Sequence, residues 1–93
     1  MILDFKCKET AGIWHGRMSR RLPIGIQAIA RRKLRMLNNA AALADLRIPP
    51  ANRLEALKGS RRGQHSIRIN EQWRICFVWS TNGATAVEIV DYH

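Results

Sequence analysis

Gln64-His-Ser-Ile-Arg-Ile-Asn70, Trp73-Arg-Ile-Cys-Phe-Val-Trp79 and Ala84-Thr-Ala-Val-Glu-Ile-Val-Asp-Tyr92 follow one another with only short breaks. The first two alternate at a period of two, as half-buried strands do. His65, Ile67 and Ile69 share one face of the first; Ser66, Arg68 and Asn70 share the other. Trp73, Ile75, Phe77 and Trp79 share a face of the second, opposite Arg74, Cys76 and Val78. Asn70-Glu71-Gln72 is a turn, and Thr81-Asn82-Gly83 carries the Asn-Gly hairpin signal. Short turns between strands dictate an antiparallel meander.

Upstream, the period changes. Arg53 to Leu57 reads as a short extended piece, and Lys58 to Gly63 as a basic loop. Ile48-Pro49-Pro50 stops a short alanine-rich helix expected over 40–46. Ile24 to about Asn39 has a helical period, with Ile26, Ala30, Leu34 and Leu37 on one stripe and Pro23 at its start. Arg31, Arg32 and Arg35 fall roughly opposite, and Lys33 sits at the stripe's edge, where its stem can lie on apolar surface. Lys8 to His15 is a further short helix ended by Gly16, and Met1 to Phe5 a short strand. Helices segregate from strands along the chain, which is the α+β pattern. The expected architecture is one domain over residues 1–93, with helices on one face of a small meander sheet. The other face, carrying Arg68 and Arg74, is expected to be concave and open.

Charge is the outlier in composition. Sixteen Lys and Arg, twelve of them Arg, face seven Asp and Glu, for a net +9. Arginine's planar fork matches phosphate, so a polyanion, nucleic acid first, is the expected partner. From Arg17 to Arg35 there is no acidic residue, so that helical face is expected to dock a polyanionic or acidic partner. Cys7 and Cys76 are too few for a disulfide framework and have no metal-ligand spacing. No metal or cofactor is expected, and no GxxxxGKS, HExxH or CxxC element supports one. No apolar run approaches the ~20 residues of a membrane span. A cytosolic protein with reduced thiols is expected.

Glu88-Ile-Val-Asp91-Tyr92-His93 ends the chain with three groups suited to proton transfer. Asp91 and Tyr92 point to opposite faces of a regular strand. Hairpin pairing brings this end toward the start of the strand holding Arg74. A cationic surface of Lys58, Arg61, Arg62, Arg68 and Arg74 beside such groups suits metal-independent RNA cleavage: the 2′-hydroxyl loses a proton, the 5′-oxygen gains one, and arginines neutralise the phosphorane. On residues alone, the ordinary readings are a solvated or ion-paired strand face for Arg68 and Arg74, an exposed basic turn for 58–63, and a structural role for His65.

Asn52-Arg-Leu-Glu-Ala-Leu-Lys-Gly59, Gly63-Gln-His-Ser-Ile-Arg-Ile-Asn70, Gln72-Trp-Arg-Ile-Cys-Phe77 and Val87-Glu-Ile-Val-Asp-Tyr-His93 resemble the successive blocks of HigB toxins, in the RelE/ParE superfamily of type II toxin–antitoxin systems. The resemblance implies a RelE-like fold and a ribosome-dependent endoribonuclease that cuts mRNA in the 30S A site. It implies a HigA-like helix-turn-helix antitoxin as partner, with DNA engaged only through that antitoxin. By position it makes Asp91, Tyr92, His93, Arg74 and Lys58 the catalytic group. Arg61, Arg62, Arg68, His65 and Glu55 then belong to the RNA-binding surface. Some members carry a catalytic histidine where Glu55 stands here; Glu55 as a substitute proton acceptor and His65 as a replacement imidazole both remain open. The alternative, from the ParE branch, is a toxin that binds a protein target such as DNA gyrase without cutting RNA. A plain RNA-binding module is a third reading.

Overall fold

The computed structural model describes residues 1–92. Two helices come first, α1 (Lys8–Trp14) and α2 (Ile24–Asn39). Short 3-10 turns lead into β1 (Glu55–Ala56), β2 (His65–Arg68), β3 (Trp73–Ser80) and β4 (Gly83–Asp91). The four strands form one antiparallel sheet in the order β1-β2-β3-β4. The α+β class with a small meander and helices on one face is what the sequence pattern requires.

The helical stripe behaves as its spacing demands. Ile26, Ala30, Leu34 and Leu37 are buried, and with Ile13 of α1 they pack on Ile67, Ile75, Phe77, Val87 and Ile89 of the sheet. Burying such side chains contributes roughly 1.5–3 kcal/mol each. Polar ties fix the layers. Buried Thr10 of α1 accepts from the Ile89 amide of β4 at 2.9 Å. Buried Gln27 donates to the carbonyls of Ser19 and Leu22 and accepts from the Ser19 amide. The loop holding Arg17, Arg20 and Arg21 is thereby fixed, while those three side chains stay exposed. Lys33 reaches buried Asn52, and its burial lowers the ammonium pKa.

Three expectations need correction. The short helix expected over 40–46 is a 3-10 turn, Leu43–Arg47; Asp45 accepts from the Ala41 and Ala42 amides, which fixes its start. Met1 to Phe5 is not a regular strand. It makes two isolated parallel bridges to β4, Ile2 with Ala84 and Phe5 with Val87. The polar sheet face is only half open. The loop after β1 folds across it, so that Arg61 reaches Glu88 at 2.8 Å and Cys76 is fully buried.

β4 also carries an irregularity that decides which side chains face where. Cys76 pairs with Glu88, but Val78 pairs with Thr85, so β4 holds one residue more than β3 across that interval. This is a β-bulge. Ala86 sits at the bulge with φ 51°, and its amide donates to the Asp4 carboxylate at 2.5 Å. The Asp4 carbonyl accepts from the Val87 amide next door. Beyond the bulge, Ile89 and Asp91 pair with Ile75 and Trp73, while Glu88 and Val90 pair with Cys76 and Arg74.

Gly83 begins β4 at φ +139°, and a Cβ there would lie 2.1 Å from the Met1 carbonyl oxygen. Gly83→Ala is therefore expected to destabilise the fold by about 1–3 kcal/mol and to release the N-terminal segment. Ala86→Gly should do the reverse, by roughly 0.5–1 kcal/mol, since left-handed backbone costs alanine more than glycine's extra chain entropy. Urea unfolding of both variants checks the opposite signs.

Candidate functional site

The polar face of the sheet opens into a shallow groove of about 340 Å³. It is lined by Arg53 from the loop before β1, Arg68 at the end of β2, Asn70 and Glu71 of the turn, Arg74 of β3 and Tyr92 just beyond β4. Arg68 and Arg74 are direct cross-strand partners. Like charges placed opposite each other destabilise a sheet unless something compensates.

Arg74 is compensated from the protein side. Its side chain is only 11% exposed. Its Nε donates to the Ser66 hydroxyl at 2.6 Å, and Nη2 donates to the Arg53 carbonyl at 2.6 Å. Glu55 lies 3.9 Å from the same Nη2, and the guanidinium carbon sits 5.9 Å from the centre of the Tyr92 ring. Such a cation–π contact contributes about 0.5–1 kcal/mol at partly exposed sites. Arg53 can present its carbonyl this way because its backbone is left-handed, φ 45° and ψ 54°, at the end of a 3-10 turn. Arg68 has a weaker partner, Glu71 at 4.0 Å, whose side chain is 95% exposed. A contact that exposed is worth little in water.

The sequence-assigned residues divide. Tyr92 stands beside Arg74, with its amide donating to the Gln72 carbonyl at 2.7 Å. Asp91 does not share that side: it pairs with Trp73, on the helix side of β4, and accepts from Gln72 Nε2 at 3.0 Å. Asp91, expected at the rim of the arginine patch, lies on the other face of β4, and the carboxylate 3.9 Å from Arg74 is that of Glu55. The parity change at Ala86 is the physical reason. His93 lies outside the described residues. Lys58 and Arg62 are exposed in the loop after β1. Arg61 lies back on the sheet against Glu88.

His65 is on the other side of β2. It stacks on Phe77 with centroids 6.3 Å apart, and its Nδ1 is buried without a hydrogen-bond partner among the described residues. It lines a hollow on that side with Leu43, Ala44, Arg47, Leu54, Glu55 and Ala56. Both candidates for the missing imidazole line that hollow, and Glu55 also lies 3.9 Å from Arg74 Nη2. Cys76 is on the groove face of the sheet, but burial pushes its thiol up, so it stays protonated at neutral pH. No cluster of His, Cys, Asp and Glu among the described residues has the makings of a metal site. No helix among them is long and apolar enough to cross a membrane.

Sequence reasoning missed Arg53, Ser66 and Asn70. Arg53 read as the start of an extended piece, and its left-handed turn has no signal in the residue type. Ser66 was placed on the correct face; its partnership with Arg74 follows from the diagonal step across β2 and β3 once the register is known.

A family model described as the RelE-like toxin of type II toxin–antitoxin system HigB matches residues 5–93. Toxin HigB-1 of Vibrio cholerae serotype O1 is 40% identical over the whole of this chain and 98% of its own length. An uncharacterized protein of Haemophilus influenzae is 34% identical across 73% of this chain and 67% of its own.

The loop across the groove face is tied to β4 through Glu88, 14% exposed, which accepts from Arg61 and lies 3.7 Å from Lys6. That hydrogen bond also raises the Arg61 pKa. Glu88→Ala is expected to free the loop, so that trypsin cuts after Lys58, Arg61 or Arg62 several-fold faster than in the parent chain. Equal digestion rates would show that the loop is held by something else.

Proposed function

The chain belongs to the HigB-like toxins, RelE-like members of type II toxin–antitoxin systems, and from that premise we propose that it cleaves messenger RNA in the ribosomal A site. A toxin of this type is paired with a protein antitoxin; the reading here is a HigA-like helix-turn-helix protein. The observation that carries the proposal is the convergence of Arg53, Arg68 and Arg74 with the Tyr92 phenol on one sheet face.

The chemistry follows from charge and reach. A phosphodiester bound across the arginines has its non-bridging oxygens beside donors that strengthen as the phosphorane forms. Arg74, already hydrogen-bonded and shielded, loses little water on meeting it. The 2′-hydroxyl proton needs an acceptor near the groove. Glu55, half exposed and 3.9 Å from Arg74, is a carboxylate in reach of that position. The Tyr92 phenol orients or donates at the same rim. Asp91 contributes from the other side of β4, by fixing the chain end through Gln72. His93 enters this reading through the family's terminal block. Lys58, Arg61 and Arg62 supply the cationic approach to the groove.

Induction without antitoxin is expected to arrest growth and leave ribosome-bound mRNA cut at the A-site codon. Arg74→Ala should slow cleavage about 10²–10³-fold, the usual loss when a charge-stabilising donor is removed. Deleting Tyr92 and His93 should restore growth. Intact mRNA together with DNA-damage signalling would instead point to gyrase poisoning of the ParE kind.

We assign the basic face away from the groove to docking of ribosomal RNA or an acidic antitoxin segment. Arg17, Arg20, Arg21, Arg32 and Arg35 are exposed there, whereas Arg31 is engaged with the Ile13 carbonyl at 3.0 Å. Changing Arg32 and Arg35 together to Glu should abolish one of these contacts and flatten its salt dependence. Unchanged binding to both partners would exclude the assignment.

A further inference from the structure

Ser66 is fully buried in the middle of the sheet's polar face. Serine hydroxyls usually bond their own neighbourhood of backbone. This one accepts from Arg74 Nε at 2.6 Å, across from the next strand. The Ser66 carbonyl also lies 3.5 Å from Arg74 Nη2, which donates to the Arg53 carbonyl. The guanidinium is thereby fixed by two directed donors, Nε–H and Nη2–H, in a plane set by β2 and the turn before β1. No hydrogen bond occupies Nη1 among the described residues, and Arg74 lines the groove.

We propose that Ser66 is a positioning residue for RNA cleavage: its hydroxyl, with the Arg53 carbonyl, fixes the Arg74 guanidinium before the phosphate arrives. This role rests on the nuclease reading and deepens it. A freely rotating arginine must be ordered in each turnover, at a cost in side-chain entropy. A cradled one has been ordered during folding, so its donors stand where charge develops. The cradle needs the fork of arginine. Lysine at 74 would keep the charge and lose both directed bonds. It also needs the left-handed turn at Arg53, since rotating that peptide would withdraw the carbonyl from Nη2.

The experiment uses single-turnover cleavage of ribosome-bound mRNA by the full chain, with Ser66→Ala, Ser66→Thr, Arg74→Lys and the Ser66→Ala/Arg74→Lys double variant. All are assayed well below their melting temperatures. Ser66→Ala is expected to lower the rate at saturating toxin about 10–100-fold, with the half-saturating concentration unchanged. Ser66→Thr keeps a hydroxyl and should recover most of that loss. In the Arg74→Lys background, Ser66→Ala should cost little more, because the pair acts as one unit. A merely structural serine would shift the melting temperature and leave the saturated rate and the coupling untouched, and that result overturns the proposal. The Arg74 Nε–H resonance reports the cradle without any cleavage assay. Slow exchange in the parent chain and fast exchange in Ser66→Ala support it; fast exchange in both overturns it. A parent chain that cuts no ribosome-bound message overturns the nuclease reading and the catalytic part of this role together, while the resonance still decides whether Ser66 holds Arg74.

Discussion

One extra residue in β4 decides the site. Side chains along a strand alternate strictly, so an inserted residue exchanges the two faces for everything that follows. Ala84 is buried among the core residues, and so are Val87 and Ile89. No uninterrupted strand turns residues 84 and 87 to the same side. The bulge at Ala86 reconciles them, and in doing so sends Val90 to Arg74 and Tyr92 to the groove. Without it, Asp91 would stand by the arginines and the phenol would face the helices. The bulge is anchored from the far end of the chain, through the side chain and carbonyl of Asp4. The hydrophobic requirement of Val87 and Ile89 thus fixes, further along the strand, which polar group meets the arginine groove.

The same sheet explains how so cationic a chain stays folded. Its apolar face is closed by α1 and α2, and its polar face is partly closed by charge pairing. Glu88 takes Arg61 on one side and Lys6 on the other. Glu55 stands by Arg74. With only seven acids against sixteen bases, these contacts are spent where the sheet would otherwise bury unopposed charge. Arg32 and Arg35 of α2 remain in solvent, where water screens them.

Much of this was legible in residue order. The α2 stripe, the proline stop, the alternation of β2 and β3 and the Asn-Gly turn each have a local physical cause, and each element appears within a residue or two of its expected place. What escaped depends on non-local partners. Whether Ala40 to Leu46 winds as an α-helix or a 3-10 turn is decided by Asp45 capping its own loop. Met1 to Phe5 cannot pair regularly with a strand that bulges. The left-handed Arg53 is stabilised by the arginine its carbonyl meets, twenty-one residues away. One warning was present: apolar residues at 84, 86, 87, 89 and 90 fit neither parity of a regular strand. A strand whose pattern satisfies neither face is a strand with a residue to spare.

The cross-strand opposition of Arg68 and Arg74 also makes the fold's own stability a gauge of occupancy. Arg74 has its own acceptors and Glu55 beside it, but Arg68 opposes it with only the exposed Glu71 nearby, so some repulsion across the pair persists. A bridging phosphate or carboxylate turns that repulsion into a clamp, and by linkage any ligand that binds only the folded chain deepens its free-energy well. On the proposed reading, a polyanion that lay along the groove would act as the mortar between β2 and β3.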